Sequence, residues 1–238
     1  MLGHLDMNTG AIVSSRFRGP PSSGNGGYVA GLLGSHVAGP SRVRLHVPPP
    51  LERTLSIDGD GDLRLSDGEA LIATCSPVAL ELEAPAPPTV EEARAASESY
   101  VGFRAHPFPS CFVCGPERAD GDGLRIFPGR TAAGLVAAPF EPPRDLLAKP
   151  AGLLEVPIVW AALDCAGYFA IVGDDPLPML LGELAVEVRG PVDRGPHVVY
   201  GWSLGGEGRK ARCGTALASG DGRLLAVAVA TWIRPKDA

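Results

Sequence analysis

The sequence predicts an α+β protein of two similar halves, each an antiparallel sheet wrapped around one apolar helix. Two apolar helical stretches, residues 28–37 (YVAGLLGSHV) and 158–173 (IVWAALDCAGYFAIVG), each follow a loop rich in Gly or Pro. Each is followed by about four strand-like segments joined by tight turns. The order of elements repeats between the halves while the residues do not. A helix followed by a meander packs as a sheet curled over the helix. One such unit leaves a sheet edge open, and pairing two in one chain covers it. The halves are set at residues 1–83 and 107–238, with a linker and short helix over 84–106.

In the first half, residues 1–10 read as a loose start and 11–17 as a strand. The loop RGPPSSGNGG over 18–27 is too rich in Gly and Pro for regular structure. It feeds the first helix, which Ser23 or Asn25 can cap. Gly31 and Gly34 share one face of that helix and permit close approach of a neighbour. Residues 42–47 (RVRLHV) alternate with the period of a half-buried strand, which Pro48, Pro49 and Pro50 end. A strand over 51–57 leads into Asp58-Gly59-Asp60-Gly61-Asp62. That run resembles a calcium loop, with Glu69 in the twelfth place, but Leu63 stands where the sixth place needs glycine, so it reads as a hairpin turn. Strands over 70–74 and 78–82 complete the half.

The linker APAPP spans 84–88, and Thr89 with Glu92 forms a capping box that opens a helix running to about Tyr100. Residues 107–123 read as irregular, 124–127 and 134–138 as short strands, and 141–156 as a Pro-containing loop. The second apolar helix starts behind Pro157 and stops at Gly173-Asp174-Asp175-Pro176. Strands over 180–188, 198–204, 210–219 and 224–233 follow, separated by Gly-rich turns.

Composition narrows the function. The chain has 238 residues, 45% apolar and 20% charged, with a net charge of −6 and no Lys/Arg run, which argues against nucleic acid and anionic membrane as partners. No apolar run reaches the ~18 residues that span a bilayer, and the first residues lack the pattern of a signal peptide. Five cysteines are an odd number and few for this length, so a reducing, cytoplasmic setting is expected and not a disulfide framework.

The second helix holds one charge, Asp164, with no Lys or Arg three or four residues away. A carboxylate inside an apolar helix either meets water at a rim or faces a site that uses it, because burying it unpaired costs several kcal/mol. Three segments carry a resemblance. Gly24-Asn25-Gly26-Gly27-Tyr28 is similar to the start of the central helix in the hotdog superfamily, and specifically in the double-hotdog acyl-CoA thioesterases. Trp160-Ala161-Ala162-Leu163-Asp164-Cys165-Ala166-Gly167 is similar to the helix that carries that family's acid, and residues 182–192 resemble the long strand after it.

The resemblance implies a tandem hotdog forming a pseudo-dimer, in which the two helices lie antiparallel and bring Asn25, Gly26 and Gly27 to Asp164. It implies hydrolysis of acyl-CoA or acyl-carrier thioesters. Asp164 would activate or hold a water, the two glycines would let the thioester carbonyl approach a helix N-terminus, and Asn25 would orient carbonyl or water. Helix capping is an equally simple role for Asn25. No cofactor or metal is expected, and because the fused units already supply the pseudo-dimer a further homodimer is optional. The chain departs from the family pattern in two ways. The position of a water-holding hydroxyl falls near Leu181, and the chain contains no Gln to supply the usual amide. These departures keep open a non-catalytic acyl-CoA or fatty-acyl binder on the same scaffold. A hotdog hydratase or dehydratase ranks behind both, since no His lies near Asp164 in sequence.

Other groups are read more simply. Cys111-Phe112-Val113-Cys114-Gly115 with His106 has a zinc-like spacing but lacks a second ligand pair, so the thiols are expected to pack in an ordered loop or form a reversible bridge. Cys165 has no nearby His and reads as packing instead of a nucleophile. Ser22-Ser23 lacks a nucleophile elbow, and Gly24–Gly27 lacks the Lys and Ser/Thr of a phosphate loop. Arg16, Arg18, Arg189 and Arg194 are candidates to meet CoA phosphates.

Overall fold

The computed structural model describes residues 9–174 and 176–236. Most of the loose start expected over residues 1–10 lies outside them. The first half consists of β1 (Thr9–Ile12), α1 (Gly26–Gly34), β2 (Ser41–Leu45), β3 (Thr54–Asp60), β4 (Asp62–Asp67) and β5 (Ala70–Pro77). The connecting α2 (Val90–Ser97) begins with the expected capping box: Thr89 Oγ1 accepts from Glu92 N–H at 3.1 Å, and Thr89 N–H donates to Glu92 Oε2 at 2.7 Å. The second half has β6 (Gly129–Arg130), β7 (Val136–Phe140), the small pair β8 (Leu147–Ala148) and β9 (Leu153–Leu154), α3 (Val156–Val172), β10 (Leu180–Val188), β11 (His197–Glu207), β12 (Lys210–Ser219) and β13 (Leu224–Ile233).

The two separate sheets expected from the sequence are one. Eleven strands run in the order β1-β3-β4-β5-β2-β10-β13-β12-β11-β7-β6. Within it the first half reads β1-β3-β4-β5-β2 and the second β7-β11-β12-β13-β10, the same order about the seam between β2 and β10. That seam is antiparallel and pairs Val43 with Leu184 and Ser41 with Val186. The edge that each half would leave open is therefore satisfied by its sister's edge, main chain to main chain.

Two expected strands do not form. Residues 78–82 run without a ladder partner beyond Pro77, and Leu80 and Leu82 pack instead against a small satellite core that includes Ala93, Ala137 and Tyr200. Residues 124–127 are interrupted by Arg125 at a φ of 52°. That turn breaks the pleat, and the N–H groups of Leu124 and Ile126 donate to the Phe112 and Val113 carbonyls at 2.8 and 2.9 Å. The strand expected over 11–17 gives way after Ile12 to a short 3₁₀ turn, Ser15–Phe17, capped by the Ser14 hydroxyl. The expected hairpin at 58–62 is present, with Gly61 at its apex at a φ of 81°.

The helices α1 and α3 pack against each other and run antiparallel, Gly27 against Asp164 and Gly31 against Pro157. Close approach comes from glycine. A Cβ on Gly27 would lie 2.6 Å from Asp164 Cβ and 2.9 Å from the Trp160 carbonyl oxygen. One on Gly31 would lie 2.6 Å from Pro157 Cα, and one on Gly34 2.5 Å from the Trp160 ring. Positions 27, 31 and 34 form a single stripe along α1, and Trp160 fills the groove it leaves. Among the described residues no helix is long and apolar enough to cross a membrane.

Candidate active site

Asn25 ends the Gly- and Pro-rich loop as the N-cap of α1, and its Oδ1 accepts from Tyr28 N–H at 2.8 Å. Its Nδ2 donates to Asp164 Oδ2 at 2.8 Å. The Oδ1 end is thus the cap expected for this residue, and the Nδ2 end holds Asp164. The partners fix which end is which, because an N–H needs an acceptor and a carboxylate needs a donor. Asp164 Oδ2 accepts a second bond from Gly27 N–H at 3.0 Å. The first turn of α1 therefore reaches the middle of α3 through its capping residue and one free helix-terminal N–H.

Asp164 is 2% exposed, and its Oδ1 is buried with no hydrogen-bond partner among the described residues. Burial pushes its pKa up to about 7, helped by the neighbouring Cys111, while Gly27 and Asn25 pull it down. The rim alternative is excluded by this burial. Gly26 occupies the wall beside it, where a Cβ would meet Leu181 Cδ2 at 2.9 Å and Leu45 Cδ1 at 3.0 Å. Of the two glycines expected to let a thioester carbonyl approach the backbone, Gly27 has its N–H committed to Asp164.

Asp164, Asn25 and Gly26 line a cavity of about 230 Å³ built from both halves. Leu45, Pro49, Met179, Leu181 and Trp232 supply apolar wall, and Ser23, 5% exposed, supplies a hydroxyl. Leu181, the residue expected at the hydroxyl position, packs against Gly26 and keeps that side apolar. Thr215 has a buried hydroxyl, but it donates to the Leu163 carbonyl at 2.8 Å and fixes the backbone beside Asp164. The arginines proposed for CoA phosphates do not line this cavity; Arg16 pairs with Asp145 at 2.6 Å and Arg189 with Glu187 at 2.7 Å.

The segment after α2 closes the cavity. Phe112 N–H donates to the Arg18 carbonyl at 2.8 Å, and Phe17 stacks on Tyr28 with ring centroids 4.0 Å apart, so the loop over 107–123 is clamped to the start of α1. This brings Cys111 within 3.8 Å of Cys165, sulfur to sulfur, a contact between residues 54 apart that no local pattern signals. Hydrogen bonds from the Cys114 and Cys165 thiols, joined by the Cys114 and Val113 N–H groups, hold the Cys111 thiol well below its ordinary range. His106 also reaches the cavity, though both ring nitrogens are engaged: Nδ1 accepts from Phe108 N–H at 2.9 Å and Nε2 lies 3.4 Å from Cys114 Sγ.

No protein-family model matches this sequence, and no curated protein matches it. Solved structures do. A candidate thioesterase of Novosphingobium aromaticivorans is similar over 98% of this chain and 97% of its own, with a TM-score of 0.64 at 12% identity. The acyl-CoA thioesterase II TesB2 of Mycobacterium marinum is similar over 100% of this chain and 98% of its own, with a TM-score of 0.60 at 13% identity. A protein of unknown function with a hot dog fold from Alicyclobacillus acidocaldarius is similar over 99% of this chain and 96% of its own, with a TM-score of 0.58 at 13% identity. The chain has the fold of these proteins, a hotdog present twice in one chain, and likeness at such identities speaks to fold alone.

Proposed function

We propose that the protein hydrolyses acyl thioesters, carried on CoA or on an acyl carrier, at the cavity between its halves. The observation that carries this is a buried carboxylate with one oxygen held by Asn25 and Gly27 and the other left without a partner beside an apolar cavity. Its free oxygen can take a proton from a water in that cavity, which makes it a general base. The water oxygen attacks the thioester carbonyl carbon, and its proton passes to Asp164. Negative charge develops on the carbonyl oxygen, which the N–H of Gly26, at the positive end of α1, is suited to receive. The C–S bond then breaks and the departing sulfur takes the proton from Asp164, leaving the free acid and the thiol. Leu45, Met179, Leu181 and Trp232 offer an acyl chain an apolar wall.

A second reading is binding without turnover. Leu181 favours it, because it puts an apolar side chain where a hydroxyl would hold the attacking water. The two readings separate in one assay. Purified protein is mixed with acyl-CoAs of graded chain length and release of free thiol is followed. Hydrolysis predicts steady release that falls by about 100-fold or more in Asp164→Ala, the scale of a lost general base. Tight binding with no release at any chain length would establish the second reading, and undiminished release by the variant would remove Asp164 from the chemistry.

A further inference from the structure

The hydrolytic reading makes no use of the thiol cluster beside Asp164. Cys111 and Cys114 sit in a C-x2-C turn closed by Gly115, whose N–H donates to the Cys111 carbonyl at 2.9 Å. Only glycine fits there, because a Cβ would lie 2.4 Å from the Pro109 oxygen and 2.5 Å from the Cys111 nitrogen. A C-x2-C turn of this kind brings two sulfurs to one side, the arrangement a soft cation takes from a protein.

The third sulfur comes from elsewhere in the chain. Cys165 on α3 places its Sγ 3.8 Å from Cys111 Sγ, and the three sulfurs all lie within 4.8 Å of one another. Zinc–sulfur bonds of ~2.3 Å in a tetrahedron set neighbouring sulfurs about 3.8 Å apart. A disulfide would join only two of the three and requires sulfurs near 2.05 Å. All three residues are buried and line the cavity, whereas Cys75 and Cys213 stand outside the cluster. The sequence offered too few ligands for a metal reading; the packing of α3 against the loop over 107–123 supplies a third.

We propose that Cys111, Cys114 and Cys165 bind one soft divalent cation of the zinc class through three thiolates, with its fourth position open to the cavity that Asp164 lines. His106 supports the set without joining it. Its Nδ1 accepts from Phe108 N–H, which leaves the proton on Nε2, facing Cys114 Sγ as a donor. Asn25 Nδ2, 3.9 Å from Cys111 Sγ and bonded to Asp164, ties the cation site to the carboxylate.

The test uses the full chain, purified under reducing conditions, stripped with a chelator and titrated with Co²⁺, then with Zn²⁺. Wild-type protein is expected to take up one metal per chain and to show the thiolate-to-cobalt charge-transfer absorption of a tetrahedral sulfur site. Cys111→Ser, Cys114→Ser and Cys165→Ser should each lose stoichiometric uptake, Cys75→Ser and Cys213→Ser should retain it, and His106→Ala should bind about 10- to 100-fold more weakly, as for a group that orients ligands. Circular dichroism of each variant reads folding separately, and the wild-type titration stands whether or not a variant folds. Failure of the reduced wild-type chain to bind either ion would overturn the proposal. So would a Co²⁺ spectrum without thiolate absorption, or a Cys111–Cys165 disulfide that forms while the reduced protein binds no metal. None of these readouts involves thioester turnover, so this proposal and the hydrolytic one fail independently.

Discussion

Two helices hold equivalent places in two halves with the same strand order, and their contents are opposite. α1 has nine residues, four of them glycine, and no acid. α3 has seventeen, with Trp160, Asp164 and Cys165 along its buried length. The short helix gives its N-terminal N–H groups and a surface without side chains; the long one gives a carboxylate, a thiol and an indole that fill what the glycines vacate. Symmetry of fold thus frames an asymmetric crossing, with the carboxylate on one helix and its two donors at the start of the other. The fold supplies the antiparallel crossing, and each helix has specialised in one side of it.

The comparison can be broken most severely at Asp164. Asp164→Asn keeps the shape and both donors' geometry but removes the base, so thiol release should fall by about 100-fold or more with little change in thermal stability. The glycine stripe is next. Gly27→Ala drives a methyl into Asp164 and the Trp160 carbonyl, and should cost about 1–3 kcal/mol in chemical denaturation, whereas Trp160→Ala empties the matching groove and should cost about 3–5 kcal/mol. Equal and negligible losses would mean that the helices do not pack as described. Asn25→Ala removes a cap worth about 1 kcal/mol and one of the two donors to a buried carboxylate. Turnover should drop roughly tenfold to hundredfold, while Asn25→Asp sets two carboxylates together and should be worse than Ala. The smallest effect is expected at the seam. Arg44 pairs with Glu183 at 2.9 Å across β2 and β10, but the arginine is largely exposed, so Arg44→Ala should change stability by less than about 1 kcal/mol. A large loss there would mean that side chains, and not the main-chain ladder, hold the halves together.

The sequence made legible what depends on local pattern. The long strands 180–188, 210–219 and 224–233 match the structure to the residue, because a Gly or Pro stands just outside each of their ends. The capping box at Thr89 and the hairpin at Gly61 were readable for the same reason. Asp164 stood out as a charge with no local partner, and Asn25, Gly26 and Gly27 followed from the resemblance. What stayed hidden depends on contacts between distant segments. Residues 78–82 and 124–127 have strand-like composition, yet no ladder position is left for the first, and Arg125 breaks the second. The merging of two sheets into one requires knowing that β2 and β10 meet. Cys165 reads as packing until the loop over 107–123 is laid against it.

The central claim is that the two halves make one site. Calorimetric titration of the protein with a non-hydrolysable acyl-CoA thioether measures this directly. One ligand per chain is expected, with binding abolished when Gly26 is replaced by a bulky residue such as Leu. Two equivalent ligands per chain, or binding indifferent to that replacement, would contradict it.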